Sequence, residues 1–421
     1  MIDSIRLFVR LGPGLLFAGA AIGTSHLVQS TRAGALYGLG LMIVVVAAYL
    51  LKYPAYRFGP AYTAATGMSL VEGYRRLGRP AVVLISVSQY LVQVIILAAV
   101  SLTTAGLAAA TLGLTLPPPQ IAFALLVLAL ILSMTGGFRW MEIVTKGFVA
   151  LLTVATVAAT ALVVPDVDWS VSNLAFPELD AKLLFFLVAL TGLMPAALDL
   201  SILHSLWAKA KNRTTSEPIS HQEAMLDLDI GYFGSAALAL CFVVMGAGLM
   251  HTQGTAPAPT PVGFASQVIA LYEAGLGRSA ALLVGVAAFG VVFTTVITVM
   301  DGFPRVHAAT WRSLTSEDGR VDEALDGSLL LRAIAASQVV LAGGILLGLM
   351  SDFLTFIDVM TTAAFLVAPI IAVLNHLVMK SDDVPAHLRP SPVMTAWSGI
   401  GIATLTLTSI AYLYVRFGAN A

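Results

Sequence analysis

Eleven stretches of about twenty predominantly apolar residues follow one another along this chain of 421 residues, and no other feature limits its fold as tightly. A helix needs about 20 such residues to cross the hydrocarbon core of a bilayer. The stretches lie at roughly 13–37, 39–58, 81–112, 120–137, 142–164, 183–207, 229–250, 279–300, 330–350, 353–379 and 393–416. Only 11% of the residues are charged and 58% are hydrophobic. A soluble domain carries about 25% charged residues, so this chain cannot coat a water-facing surface and takes lipid as its solvent. The expected class is an all-α polytopic membrane protein with 11 transmembrane helices.

The cations provide an independent check. With the N-terminus inside and loops alternating, 18 of the 22 lysines and arginines fall on inside segments. Only Arg32, Lys182, Arg278 and Arg416 fall outside. One missed or invented span would scramble that bias. The expected location is a bacterial inner membrane, with the N-terminus cytoplasmic and the C-terminus outside. The run at 11–37 is too long for a signal peptide and reads as a retained first span.

The loops hold no folded domain, and the longest connections are 251–277 and 302–328. An apolar-periodic piece at 264–272 is expected to be an interfacial helix outside the membrane. The net charge of −1 offers no basic face for nucleic acid. Lone Cys241 excludes an intramolecular disulfide and reads as a small core residue. The sequence carries no nucleotide-binding motif, and no cofactor is expected. The expected partners are the lipid bilayer and a small ionic substrate.

Two stretches are poor continuous helices. The first holds Pro13 and glycines 12, 14, 19, 23 and 34, and its middle reads Ala21-Ile22-Gly23-Thr24-Ser25-His26. The sixth has Leu190-Thr191-Gly192-Leu193-Met194-Pro195-Ala196, where proline removes a backbone hydrogen bond. Five spans apart, the two run in opposite directions. Broken helices at matching places in two halves mark an inverted repeat with a substrate site at the breaks. The halves are expected at about 11–165 and 182–379, with an extra helix at about 393–416, all in one transporter domain working by alternating access.

Specific motifs resemble the Nramp family of proton-coupled divalent-metal transporters. Leu11-Gly12-Pro13-Gly14-Leu15-Leu16 resembles the family's opening motif. Val299-Met300-Asp301-Gly302-Phe303 resembles its Val-Met-Glu-Gly-Phe segment, and Met194-Pro195 begins its Met-Pro-His motif. The resemblance implies a LeuT-type fold of five plus five inverted spans, with helices 1 and 6 broken at mid-membrane. It also implies proton-coupled transport of a divalent cation. The metal motif Asp-Pro-Gly-Asn, however, is replaced by Gly23-Thr24-Ser25-His26, and the histidine after Met-Pro by Ala196. The family's span-three acids have no counterparts; Gln89 and Gln93 lie near their place.

The candidate substrate residues are therefore Gly23, Thr24, Ser25, His26, Thr191, Met194, Asp199 and Thr361. His26, Met194 and Asp199 would form an altered metal site, and His26 and Asp199 would carry coupling protons. Ionisable groups inside spans are functional by default. Against this, Met194 can be core filler, and Thr24, Ser25 and Thr191 can satisfy freed backbone. Asp358 is expected at a gate or a solvated rim or as a ligand, Asp301 in an ion pair with Arg305, and His204 at the inner interface. With so little charge at the breaks, a small anion or carboxylate is the alternative cargo. An intramembrane enzyme or receptor finds no support, since His-Glu-x-x-His and nucleophile–base pairs are missing from the spans.

Overall fold

The computed structural model describes residues 12–135, 138–214, 219–317, 319, 321, 328–348 and 352–418. Leu11, Arg6, Arg10 and Arg320 lie outside them, as do the span ends expected at 137 and 350. In chain order the helices are α1 (Pro13–Ala21), a π-helical segment (Ile22–Ser30), α2 (Thr31–Tyr37), α3 (Met42–Thr66), α4 (Leu70–Leu77), α5 (Arg79–Leu112), α6 (Pro118–Thr135) and α7 (Phe138–Val163). Then come α8 (Val171–Leu174), α9 (Ala181–Gly192), α10 (Leu200–Thr214), α11 (His221–Met245) with a π-helical end (Gly246–His251), α12 (Pro261–Leu276), α13 (Arg278–Thr315), α14 (Leu329–Gly348), α15 (Phe353–Met379) and α16 (Pro392–Leu413). No strand occurs among the described residues.

Among the described residues, eight helical stretches are long and apolar enough to cross a membrane: those of α5, α6, α7, α11, α13, α14, α15 and α16. The other three expected spans are helical but fall short of that measure. Two are the interrupted ones. The third, α3, carries Lys52, Arg57, Pro54 and Pro60. The first span lies at the middle of the bundle: between Gly12 and Ala35, only Leu15 and Ala20 are more than marginally exposed. The outer surface is instead furnished by residues such as Val87 and Leu91 on α5, Val154 on α7, Val340 on α14 and Leu407 on α16.

Glycines set how closely the central helix approaches its neighbours. A Cβ on Gly231 of α11 would lie 2.0 Å from the carbonyl oxygen of Gly14, and one on Gly34 would lie 2.1 Å from that of Val243. Only small residues permit backbones to meet at that distance. Asp227 of α11 then accepts from the amides of Gly12 (3.1 Å) and Gly14 (2.7 Å). This satisfies donors that a helix start leaves free.

The fold adds detail to three expectations. The 264–272 piece belongs to the 16-residue α12, whose Phe264, Val268 and Tyr272 are buried against the bundle; Tyr272 Oη lies 2.8 Å from Thr156 Oγ1. It is a packed part of the core, because its apolar face has α5 and α13 to cover it. His204 is buried within the bundle, 1% exposed, with its ring centroid 6.1 Å from that of Phe17. Lys52, counted among inside charges, and Arg32, counted outside, are both buried within the bundle. Asp301 and Arg305 do pair, at 2.8 Å.

Gly231→Ala is expected to cost about 1–3 kcal/mol through overpacking, read as a lower melting temperature of the purified protein. Gly234, three residues on, has nothing within 4 Å of its virtual Cβ. Gly234→Ala should melt no lower than the native protein, since alanine is the better helix former.

Candidate functional site

The first break is short. Gly23 sits at φ −60°, ψ −130°, outside helical geometry, and the chain resumes helix immediately as a π-helical segment. The freed backbone is taken up by side chains. Thr295 of α13 donates to Gly19 O at 2.8 Å. Ser25 Oγ lies within hydrogen-bond reach of Ala21 O, of Pro195 O (3.2 Å) and of His26 Nδ1 (2.8 Å). One serine thereby joins the two breaks.

The second break is longer. α9 stops at Gly192 and α10 starts at Leu200, with a cis Met194–Pro195 peptide between them. Its carbonyls are also occupied. Lys52 Nζ, from the middle of α3, donates to Thr191 O and to Gly192 O (3.3 Å). Tyr56 Oη, one turn further along α3, donates to Ala196 O at 2.6 Å. Exposed backbone at membrane depth is tolerated only when it is buried in protein or lines a cavity, and here α3 supplies much of the cover.

Between the breaks lies a cavity of about 40 Å³. Its polar lining is Thr24, Ser25, Asp199 and Thr295; the rest is apolar and includes Ala196, Leu193, Val299 and Phe303. Asp199 is 2% exposed. Gln93 Nε2 of α5 donates to its Oδ2 at 2.8 Å, and His307 Nε2 of α13 donates to Gln93 Oε1 at 2.9 Å. A polar chain thus runs from the cavity carboxylate through α5 to a histidine on the far part of α13. The amide orientation and the imidazole hydrogen follow from the carboxylate's inability to donate.

Of the candidate residues, the cavity gathers Thr24, Ser25 and Asp199. It does not gather His26 or Met194. The His26 Nε2 lies 2.7 Å from Tyr49 Oη and 3.1 Å from the carbonyl of Ser235. A carbonyl only accepts, so Nε2 carries the hydrogen. Tyr49 Oη in turn lies 3.0 Å from Ser235 Oγ, which donates to Tyr232 O. The imidazole is fully engaged with α3 and α11 and turned from the cavity lining. Met194 Sδ is approached by Ser30 Oγ at 3.9 Å. Thr191 Oγ1 folds back on Leu187 O at 2.7 Å, and Gly23 serves as backbone against Thr295. Among the described residues no group of three or more His, Cys, Asp or Glu is arranged to ligate a metal.

Thr361 belongs to a different cluster, at the end the charge pattern assigns to the outside. Arg32 of α2 makes a two-pronged ion pair with Asp358 of α15, at 2.6 and 3.0 Å. Gln29 accepts from Arg32 at 2.8 Å and donates to Asp358 (3.2 Å) and Thr361 (3.4 Å). The guanidinium also lies 5.3 Å from the Phe186 ring of α9. The cluster ties the first span to α15 across the mouth of the second break.

Sequence reasoning missed Lys52, Tyr49, Thr295 and His307. Lys52 left a signal, as a lysine in the middle of an apolar run. The others did not, because hydroxyls and single histidines in spans have many structural uses.

Two interrupted central helices enclosing a small cavity, in an otherwise apolar helical bundle, define the LeuT-type fold. The chain belongs to the Nramp family: the family model described as "Natural resistance-associated macrophage protein-like" matches residues 14–415. An uncharacterized protein of Pasteurella multocida (strain Pm70) is 32% identical over 98% of this chain and 93% of its own length. The divalent metal cation transporter MntH of Pectobacterium carotovorum subsp. carotovorum (strain PC1) is 28% identical over 80% of this chain and 83% of its own. A manganese transporter of Eremococcus coleocola, solved with an aromatic bis-isothiourea compound, matches with a TM-score of 0.72 at 15% identity, over 99% of this chain and 89% of that one.

His26→Ala would remove the imidazole's bonds to Tyr49 and to the Ser235 carbonyl, leaving Tyr49 Oη with Ser235 Oγ alone. A hydrogen bond of this kind contributes about 0.5–1.5 kcal/mol, and the melting temperature should fall by a few degrees. His26→Gln, which keeps a donor, should recover part of the loss.

Proposed function

We propose that this protein moves a small cation by alternating access, with Asp199 as the acid of its cargo site. The observation that carries this reading is the placement of that carboxylate. Among the described residues it is the sole acid lining the cavity between the breaks, and Gln93 is the one side chain that donates to it. A negative charge there favours a cation and argues against the small anion or carboxylate that the sequence left open.

Divalent metal is the cargo class that the Pectobacterium and Eremococcus proteins' names state and the family expectation here. The geometry offers such an ion Asp199 with the hydroxyls of Thr24, Ser25 and Thr295, and not the trio of His26, Met194 and Asp199. One carboxylate neutralises half of a divalent charge, and uncompensated charge at mid-membrane costs several kcal/mol. A metal would therefore cross with part of its water, and a cargo of single positive charge fits the same cavity at lower cost. Proton coupling would centre on Asp199, connected through Gln93 to His307, since His26 is held by α3 and α11. The two repeats of 11–165 and 182–379, the added helix at 393–416, the eleven-span count, the inward N-terminus and the bacterial inner membrane complete the proposal.

Uptake into proteoliposomes tests it. Mn²⁺, Mg²⁺, monovalent cations and a panel of small anions are offered with and without a pH gradient. A cation should accumulate, and Asp199→Asn should lower its uptake at least about tenfold, the worth of roughly 1.4 kcal/mol of lost interaction, while melting stays unchanged. Accumulation of an anion, or full activity in Asp199→Asn, would remove the basis of the reading.

A further inference from the structure

Lys52 has no role in the cargo reading, yet its setting is the more unusual. Its side chain is 1% exposed at the middle of α3. A lysine is almost never fully buried unless paired, and here no carboxylate among the described residues pairs with it. The acids on the surrounding helices are committed elsewhere. Asp199 is bound by Gln93, Asp227 by two amides of the first span, Asp229 by Tyr53, Asp358 by Arg32 and Glu72 by Lys209. What faces the ammonium is the end of α9, through the carbonyls of Thr191 and Gly192.

The C-terminal end of a helix carries about half a negative charge, spread over carbonyls with no helical partner. In transporters built on broken helices, such ends and the unwound carbonyls beside them hold small cations. We propose that the end of α9 is a monovalent-cation site and that the Lys52 ammonium is its built-in occupant. An ammonium and a dehydrated alkali ion are alike in charge and in seeking carbonyl oxygens. The tether from α3 supplies the cation at no cost in concentration, so the protein needs no soluble ion there. Tyr56 seals the neighbouring carbonyl of Ala196 from the same helix face. α3 thus carries both plugs of the second break.

The purified full chain tests this by thermal unfolding in sodium, lithium, potassium, ammonium or methylammonium chloride, each against choline chloride at equal ionic strength. The wild type's own shift in each salt sets the reference, so any stabilisation by a cation held at Asp199 is subtracted. Lys52→Ala should melt lower than the wild type in choline and regain roughly 3 °C or more beyond that reference shift, saturably, with at least one of the small cations. Lys52→Gln supplies N–H donors without charge; it should melt below the wild type and show no selective recovery. Absence of any selective recovery in Lys52→Ala overturns the proposal, as does a Lys52→Gln variant as stable as the wild type. If Lys52→Ala cannot be extracted folded in choline, the same salts are included during extraction. Folded yield restored by a small cation then supports the site, and failure of every salt overturns it. None of these readings requires transport, so the outcome is independent of whether Asp199 holds the cargo.

Discussion

Backbone freed by two helix breaks inside an apolar bundle must find partners, and much of this structure answers that requirement. Water is not there to take the orphaned carbonyls, and each left alone would cost several kcal/mol. Lys52 takes Thr191 and Gly192, Tyr56 takes Ala196, Thr295 takes Gly19, and Ser25 reaches both breaks. The breaks are thereby held open as geometry while being closed as chemistry. What remains for a solute is the cavity beside Asp199.

The same requirement explains why the sequence candidate His26 holds the bundle together. It lies next to the break in the first span, and its two ring nitrogens meet Ser25 on one side and Tyr49 with Ser235 on the other. Those bonds link the first span, α3 and α11 where the backbone ladder is weakest. Asp199, reached after Pro195 interrupts the sixth span, is instead carried to the cavity because α10 restarts just beyond it. A residue's distance from a break in sequence does not decide which way it points when the chain is unwound between two half-helices.

The separation of the two polar clusters also follows from the breaks. Arg32 and Asp358 join α2 to α15 on one side of the second break, with Gln29 and Thr361 filling the gap. Asp199, Gln93 and His307 extend on the other. The central helix passes between them with its glycines pressed on α11. A rocking of the first span against α15 would have to undo the first cluster without disturbing the second.

The sequence by itself determined the helical class, the membrane setting, the position of both breaks and the family. These depend on local composition and on motifs: runs of apolar residues, scarce charge, Gly23, Pro195 and the flanking Gly-Pro-Gly and Met-Pro. It also identified Asp199 as the acid nearest the breaks. Only the tertiary structure decided which side chains share the cavity, since that depends on partners up to 276 residues away, as for Thr295 on Gly19. The periodicity of α3 could place Lys52 on a helix, but its meeting with the end of α9 arises from how three helices cross. The eleven apolar runs that opened the argument thus set what the chain could become, and the crossing of the first, second and sixth of them set where its charges stand.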